Sequence, residues 1–209
     1  MRFSQPKNDP TALFHLTYGL FVATTRVGDK DNGLIVNTVT QVASSPLLVA
    51  VSVNCDSLSH EMILESGKLN VNCLSEATPF SAFERFGFQS GRDCDKLAGV
   101  RLERSQNGLA VLTEDYCTAF LSLCVRERVE LGSHTLFICS VEQAEALSSA
   151  PPMTYAYYHA NVKPRPQEQK KPSGYVCRIC GWVYEGEPLP DDVICPICKH
   201  GAADFEKIS

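Results

Sequence analysis

The sequence predicts a mainly β protein, a β-barrel with a few short helices, followed by a small separate domain at the carboxyl end. Three observations lead to this prediction. Short apolar strands recur at regular spacing through residues 1–162, with few helical patterns between them. Strand–helix–strand alternation and a Gly-x-Gly-x-x-Gly motif are both missing, which argues against a built-in dinucleotide-binding fold. Two Cys-x-x-Cys pairs lie near the carboxyl end, where the composition changes.

Length and charge narrow the possible functions. The chain has 209 residues, enough for one domain of roughly 150 to 170 residues and a second, small one. Its formal net charge of −5 argues against a nucleic-acid partner. No apolar run reaches the length of a membrane span, and the first residues lack the apolar core of a signal peptide. We therefore expect a cytoplasmic protein without a membrane partner.

The first half of the chain reads as one short helix and a series of strands joined by tight turns. Residues 11–17 form the helix, and residues 28–33, which end in Asn32-Gly33, form a hairpin turn. Strands are expected at 20–26, 34–42, 47–54 and 69–74. A second helix begins after a cap at Asp56 or Ser57 and ends at Ser66, because Gly67 can take a left-handed conformation.

The second half continues the strand pattern and then stops. A helix is expected from Thr78-Pro79 to Phe86, because a cap precedes a proline in the first turn. Strands are expected at 100–102, 110–112, 116–130 and 134–145, the third of them bent or bulged midway. Residues 163–173 hold three prolines and four basic residues against one acidic residue, which is typical of a linker. The predicted domains are therefore 1–162 and 174–209.

The carboxyl-terminal domain carries a predicted metal site. Cys177 and Cys180 form one pair, Cys195 and Cys198 form the other, and 14 residues separate the two pairs. Two such turns facing each other give a tetrahedral site of four thiolates, suited to structural zinc or to a single iron. Two redox pairs or two disulfides are the alternatives. The domain has three basic and six acidic residues, which is unlike a zinc ribbon that binds nucleic acid.

These residues resemble rubredoxin. The resemblance lies in residues 175–186, 190–198 and 204–207, and the short stretch between the cysteine pairs is similar to that of the rubredoxin-like domains of rubrerythrins. It implies one iron per chain, held by four cysteines, and transfer of one electron at a time. Zinc remains the alternative, because the shortened form also occurs in zinc-loaded relatives.

Polar side chains at the strand ends of the larger domain form a second candidate site. They could hydrogen-bond a planar heterocycle and a phosphate, and the helix after Asp56 would offer its N-terminal N–H groups to the phosphate. The candidates are Asn37, Thr38, Val39, Thr40, Gln41, Asn54, Ser57, Ser59 and His60. A polar strand edge beside an ordinary helix cap is the alternative.

Residues 18–25, 32–42, 46–54, 57–63 and 131–138 resemble the flavin-reductase-like, FMN-binding split barrel. The resemblance implies bound FMN, with residues 37–41 along the isoalloxazine ring and Asn54, Ser57, Ser59 and His60 at the ribityl chain and phosphate. His134 matches the histidine of a Gly-Asp-His pattern near the place where hydride donors approach. Ser133 replaces the aspartate of that pattern, so His134 lacks a carboxylate partner. The family also implies a homodimer with the flavin near the interface.

Together the two domains resemble the high-molecular-weight rubredoxins of anaerobes. This implies electron flow from NAD(P)H, directly or through a reductase, by way of FMN and the iron centre to a redox protein such as a flavodiiron oxygen or nitric oxide reductase. One alternative is an NAD(P)H:flavin reductase with a structural zinc ribbon. The other is a non-catalytic docking or sensor module that binds flavin or zinc.

Overall fold

The computed structural model describes residues 10–113, 115–164, 174–179, 181–186, 188–196 and 199–208. The chain divides into two compact units, 1–163 and 164–209. Residues 165–173 of the predicted linker, and the predicted ligands Cys180 and Cys198, lie outside the described residues.

Twelve strands and three short α-helices are found among the described residues. The strands are β1 (Phe21–Val27), β2 (Lys30–Val36), β3 (Val39–Ser44), β4 (Leu47–Asn54), β5 (Lys68–Leu74), β6 (Leu102–Arg104), β7 (Ala110–Leu112), β8 (Cys117–Glu130), β9 (His134–Ala146), β10 (Gly174–Cys177), β11 (Val183–Tyr184) and β12 (Phe205–Ile208). The α-helices are α1 (Leu58–Ser66), α2 (Phe80–Phe83) and α3 (Tyr155–Tyr157). Short 3-10 turns span Pro10–His15 and Ala202–Asp204, and π turns span Glu84–Phe88 and Tyr158–Val162.

The main sheet is curled into a barrel, as its connectivity requires. Its seven strands are antiparallel and lie in the order β2-β1-β5-β8-β9-β4-β3. In a flat sheet the edge strands β2 and β3 would be about 29 Å apart. Only Asn37 and Thr38 connect them, and three residue steps reach at most about 11 Å. The sheet must therefore curl, and β2 and β3 border the split of the barrel.

Two apolar clusters lie on opposite faces of this sheet. Val22 of β1 belongs to one and its neighbour Ala23 to the other, and successive side chains of a strand point to opposite faces. The Ala23 cluster joins residues of six strands, from Val36 of β2 to Val51 of β4, with Ile63 of α1. This cluster fills the barrel. The Val22 cluster packs Phe83 and other apolar side chains on the outside.

Several local predictions are confirmed. Strand β4 spans the predicted residues 47–54. Ser57 caps α1, which ends at Ser66 before Gly67, whose φ is +66°. The pairing of β8 with β9 shifts register at Ser122/Leu123 and again at Val125/Glu127, so the long strand is bulged as expected.

The hairpin predicted at residues 28–33 is confirmed, but its turn is at the start of that range and not at Asn32-Gly33. The turn lies at Gly28-Asp29, where Gly28 has a φ of +56°, and Val27 pairs with Lys30. Asn32 and Gly33 lie inside β2, both buried. A β-carbon on Gly33 would lie 3.1 Å from the ring of Phe86, so the glycine makes room for packing rather than for a turn.

Other boundaries also differ from the predictions. The single strand expected at 34–42 is broken at Asn37-Thr38, because the chain crosses there from one edge of the sheet to the other. The helix expected at 11–17 is the 3-10 turn Pro10–His15. The helix expected at 78–86 is α2 followed by a π turn. Thr78 does not cap it, because its hydroxyl donates to the Tyr116 carbonyl at 2.7 Å. The strand expected at 100–102 is β6.

The carboxyl-terminal unit holds a three-stranded antiparallel sheet in the order β11-β10-β12. The half-buried ring of Trp182 lies between those of Tyr184 and Phe205, with ring centres 6.4 and 6.1 Å away. No helix in the described part of either unit is long and apolar enough to cross a membrane.

Candidate functional site

The predicted flavin residues gather at one end of β3, β4 and β9. The Ser52 N–H donates to the Thr38 carbonyl at 3.0 Å, which holds the β2–β3 connection against β4. Asn54 at the end of β4 lies opposite His134 at the start of β9, and directly opposed residues point to the same face. The structure therefore brings together three segments that are far apart in the sequence.

The start of α1 lies at the same end. The Asn54 side-chain oxygen accepts from the Asp56 N–H at 2.8 Å. Ser57 Oγ donates to the Asn54 carbonyl at 2.9 Å and accepts from the His60 N–H at 3.2 Å. The first N–H groups of a helix lack partners within the helix, and they are suited to an anion. This arrangement fits the phosphate of a flavin nucleotide.

Ser59 and His60 face the interior of the protein. Ser59 is fully buried, and its Oγ accepts from the Asn32 amide at 3.0 Å. His60 is buried, and its Nε2 lies 2.8 Å from Thr135 Oγ1. These bonds hold the first turn of α1 to β2 and β9. That Ser59 and His60 bind the flavin directly stays a prediction, and their partners Asn32 and Thr135 were missed in the sequence.

A salt bridge holds the same helix from the outside. Arg92 donates to both carboxylate oxygens of Glu61, at 3.0 and 2.8 Å. These hydrogen bonds, more than any other cause, keep the pKa of the exposed Glu61 carboxyl below its ordinary value. The pair connects α1 to the loop that follows the π turn at Glu84–Phe88.

The start of β3 borders an apolar groove of about 350 Å³. Val39, Thr40 and Gln41, which the sequence assigned to the flavin ring, line one side. The rest of the lining is apolar: Phe21, Leu47, Val49, Leu121 and Val141. Sites for planar cofactors are usually apolar clefts with a few polar groups, and this groove has that character.

His134 is half-buried, and its Nδ1 lies 2.9 Å from Ser133 Oγ. The serine thus provides a hydrogen-bonding partner at the place where the family pattern has a carboxylate. A neutral hydroxyl orients the imidazole without adding a negative charge beside it.

An apolar cavity of about 680 Å³ on the barrel unit was not predicted from the sequence. It is lined by Leu13, His15, Leu16, Thr17, Tyr18, Thr154, Tyr155, Ala156 and His159. The Tyr155 N–H donates to the Tyr18 carbonyl at 2.8 Å, which joins the two segments. No local pattern indicates this cavity, because its two sides are more than a hundred residues apart in the sequence.

The two described metal-ligand candidates lie in matching turns. Cys177 and Cys195 are fully buried. The Gly181 N–H donates to the Cys177 carbonyl at 2.8 Å, and the Lys199 N–H donates to the Cys195 carbonyl at 2.9 Å. Two buried thiols in equivalent turns fit a tetrathiolate site, whose other two predicted ligands lie outside the described residues. Within the described ranges no group of three His, Cys, Asp or Glu side chains could hold another metal.

Comparisons with known families match both units. Residues 13–164 match the family described as flavin reductase like domain. Residues 175–206 match the family described as rubrerythrin, rubredoxin-like domain.

Individual proteins match over most of the chain. The high molecular weight rubredoxin of Moorella thermoacetica is 38% identical, over 96% of this chain and 100% of that protein. The ferric-chelate reductase (NAD(P)H) of Archaeoglobus fulgidus is 33% identical, over 74% of this chain and 91% of that protein. The solved structure of the flavin reductase PheA2 is 28% identical, with a TM-score of 0.61 over 71% of this chain and 93% of that one.

Proposed function

The chain belongs to the flavin reductase-like family and carries a rubredoxin-like domain, and we propose that it passes electrons from NAD(P)H through FMN to an iron centre and on to a redox protein. The observation that carries the proposal is the union of these two domains in one chain. Bound flavin supplies hydride acceptance, and an iron–thiolate site supplies one-electron transfer.

The barrel residues bind and orient the flavin in this proposal. The start of α1, capped by Ser57, receives the phosphate, and Asn54 lies beside it. Val39, Thr40 and Gln41 line the apolar groove that takes the ring, and Asn37 and Thr38 directly precede them in the chain. The internal hydrogen bonds of Ser59 and His60 fix the helix end in place, and their direct contact with the flavin stays a prediction. His134, oriented by Ser133, lies opposite Asn54 on the neighbouring strand.

The carboxyl-terminal unit holds the iron in this proposal, through Cys177, Cys180, Cys195 and Cys198. NAD(P)H gives up two electrons together, whereas a single iron carries one. Each NAD(P)H therefore requires two successive electron transfers out of the barrel unit. The predicted linker raises the effective concentration of the iron domain near the flavin.

We also propose a homodimer in the cytoplasm, with a flavodiiron protein as the acceptor. The open apolar groove at residues 39–41 supports the dimer, because a second copy could cover the ring there. Six cysteines of the barrel unit are thiols, which suits a reducing compartment. Sedimentation equilibrium should give twice the mass of one chain, and a single-chain mass would refute the dimer.

An anaerobic visible spectrum tests the main proposal. The purified protein should show flavin bands together with ferric–thiolate absorption, and both should bleach when NADH is added. Cys195→Ser should abolish the iron absorption and leave the flavin bands, whereas Cys94→Ser, at an exposed cysteine of the barrel unit, should change neither.

The rival functions give different spectra. Flavin bands with zinc in place of iron would indicate a flavin reductase with a structural metal domain. Bands that do not bleach with NADH alone, but do bleach with a separate reductase, would make the chain a carrier that accepts electrons from that reductase. Neither flavin nor iron in the protein would defeat the proposal.

A further inference from the structure

The two metal-binding turns have the same backbone bend but different residues at its centre. Gly181 follows the first cysteine pair with a φ of +78°, and Lys199 follows the second with a φ of +62°. Among the described residues, Lys199 is the only one other than glycine with a positive φ. The left-handed conformation is unfavourable for a residue with a β-carbon.

The bend itself does not require a lysine. Gly181 makes the same N–H to carbonyl bond across its turn, at 2.8 Å against 2.9 Å for Lys199. Glycine takes this conformation without steric cost. No β-carbon contact within 4 Å occurs at Gly181, so room for a side chain is not what distinguishes the turns. The lysine side chain therefore needs an explanation other than the fold.

We propose that Lys199, whose backbone closes the turn of the second cysteine pair, contributes positive charge to the surroundings of the metal and raises its reduction potential. The inference rests on the proposed function, because it requires iron at the four cysteines. A ferric ion with four thiolates has a charge of −1, and the electron that reduces it brings the charge to −2. A cation beside the site stabilises the reduced form more than the oxidised form.

Most of the other charged residues in the carboxyl-terminal unit are acidic, so the positive charge of Lys199 opposes their effect on the metal. Glu185, Asp191, Asp192, Asp204 and Glu206 are described acidic residues of the same small domain, and they disfavour an added electron. Arg178, in the first turn, donates to the Ala203 carbonyl at 3.0 Å. Lys207 lies on β12 and pairs with Tyr175. Cys177 pairs with Phe205, two residues before Lys207 on the same strand. Lys199 directly follows the predicted ligand Cys198 and is exposed.

The experiment is a spectroelectrochemical titration of the iron centre in the full-length protein, with mediators in place of NADH. Lys199→Gln removes the charge and keeps the β-carbon, Lys199→Gly removes both, and Lys199→Arg keeps the charge. At a fixed electrode potential, the ratio of reduced to oxidised iron should be about fivefold lower in the Gln and Gly variants than in the wild type. At 59 mV per tenfold change in this ratio, the reduction potential is then lower by roughly 40 mV. The Arg variant should stay near the wild type, and Lys207→Gln, the control, should shift less.

Salt provides a second readout. The Debye screening length is about 30 Å at 0.01 M ionic strength and about 3 Å at 1 M. The difference in reduction potential between the wild type and Lys199→Gln should therefore shrink as salt is added.

Three results would overturn the inference: equal potentials for wild type and Lys199→Gln, a shift in Lys199→Gly alone, or a difference that salt leaves unchanged. Equal potentials in an iron protein that NADH reduces would leave the proposed function intact. A wild-type protein without iron would defeat both.

Discussion

The barrel unit and the carboxyl-terminal unit bury different kinds of residue. The barrel is filled by apolar side chains from six strands and α1, including Val51, Leu69 and Phe137, each with no exposed surface. In the described part of the carboxyl-terminal unit, the buried residues are Gly174, Cys177 and Cys195, while the aromatic residues are half-buried. The barrel is stabilised by packing, whereas the described part of the small unit buries two predicted metal ligands.

This difference indicates which unit depends on its cofactor. A domain of under 40 residues rarely buries enough apolar surface to fold alone, and small metal domains derive folding free energy from the ion. The barrel already has a closed apolar core, so the flavin is needed for its chemistry rather than for its fold. Cysteine illustrates the contrast, since Cys139 is an apolar core residue and Cys195 a predicted ligand.

Removal of the metal should have the largest effect and should be confined to one unit. Binding of structural zinc by small domains contributes about 10–16 kcal/mol of apparent free energy, more than such a domain can replace by packing. After chelation, the amide resonances of residues 174–208 should collapse to the range of an unfolded chain, while those of residues 21–146 keep their dispersion. Collapse of both sets, or of neither, would contradict the separation of the two cores.

A cavity made in the barrel core should destabilise the barrel and leave the carboxyl-terminal unit unchanged. Phe137 is fully buried, and its ring centre lies 5.8 Å from that of His60. Phe137→Ala should lower the free energy of unfolding of the barrel by about 3–5 kcal/mol and leave the absorption of the metal centre unchanged. Phe88→Ala is the matched control, because Phe88 is 66% exposed. Denaturant titration followed at both chromophores measures the effect, and a similar loss in the two variants would count against a packed barrel core.

The features that could be predicted from the sequence are those set by neighbouring residues. The cap at Ser57, the helix end at Gly67 and the limits of β4 depend on a few adjacent residues. The two cysteine pairs are also local patterns, and the two described members, Cys177 and Cys195, are buried in matching turns.

The features that could not be predicted depend on contacts between distant residues. Asn32-Gly33 has the chemistry of a turn, but the buried bond to Ser59 and the Phe86 ring decide its conformation. The partners His60 and Thr135 are 75 residues apart, and no local signal connects them. The cavity between the Tyr18 and Tyr155 segments is missed for the same reason.

The smallest expected effect concerns the barrel thiols at high pH. Burial is the main cause that raises the pKa of Cys139 from 9.0 to about 12, and it raises that of Cys73 to about 11. In the unfolded chain these thiols ionise at their ordinary pKa. The stability that they contribute is therefore fully present below about pH 8.5 and is lost as the pH rises through the folded-state values.

The free energy of unfolding of the barrel should fall between pH 9 and pH 11 in both proteins. The fall should be about 1–2 kcal/mol smaller in Cys139→Ala than in the wild type. Cys94→Ala is the control, because Cys94 is exposed and its removal should leave the slope unchanged. Urea titrations at several pH values measure both slopes. Parallel slopes for Cys139→Ala and the wild type would mean that Cys139 is not held as a neutral, buried thiol. Cys139 would then not be the apolar core residue that we contrast with the predicted ligand Cys195.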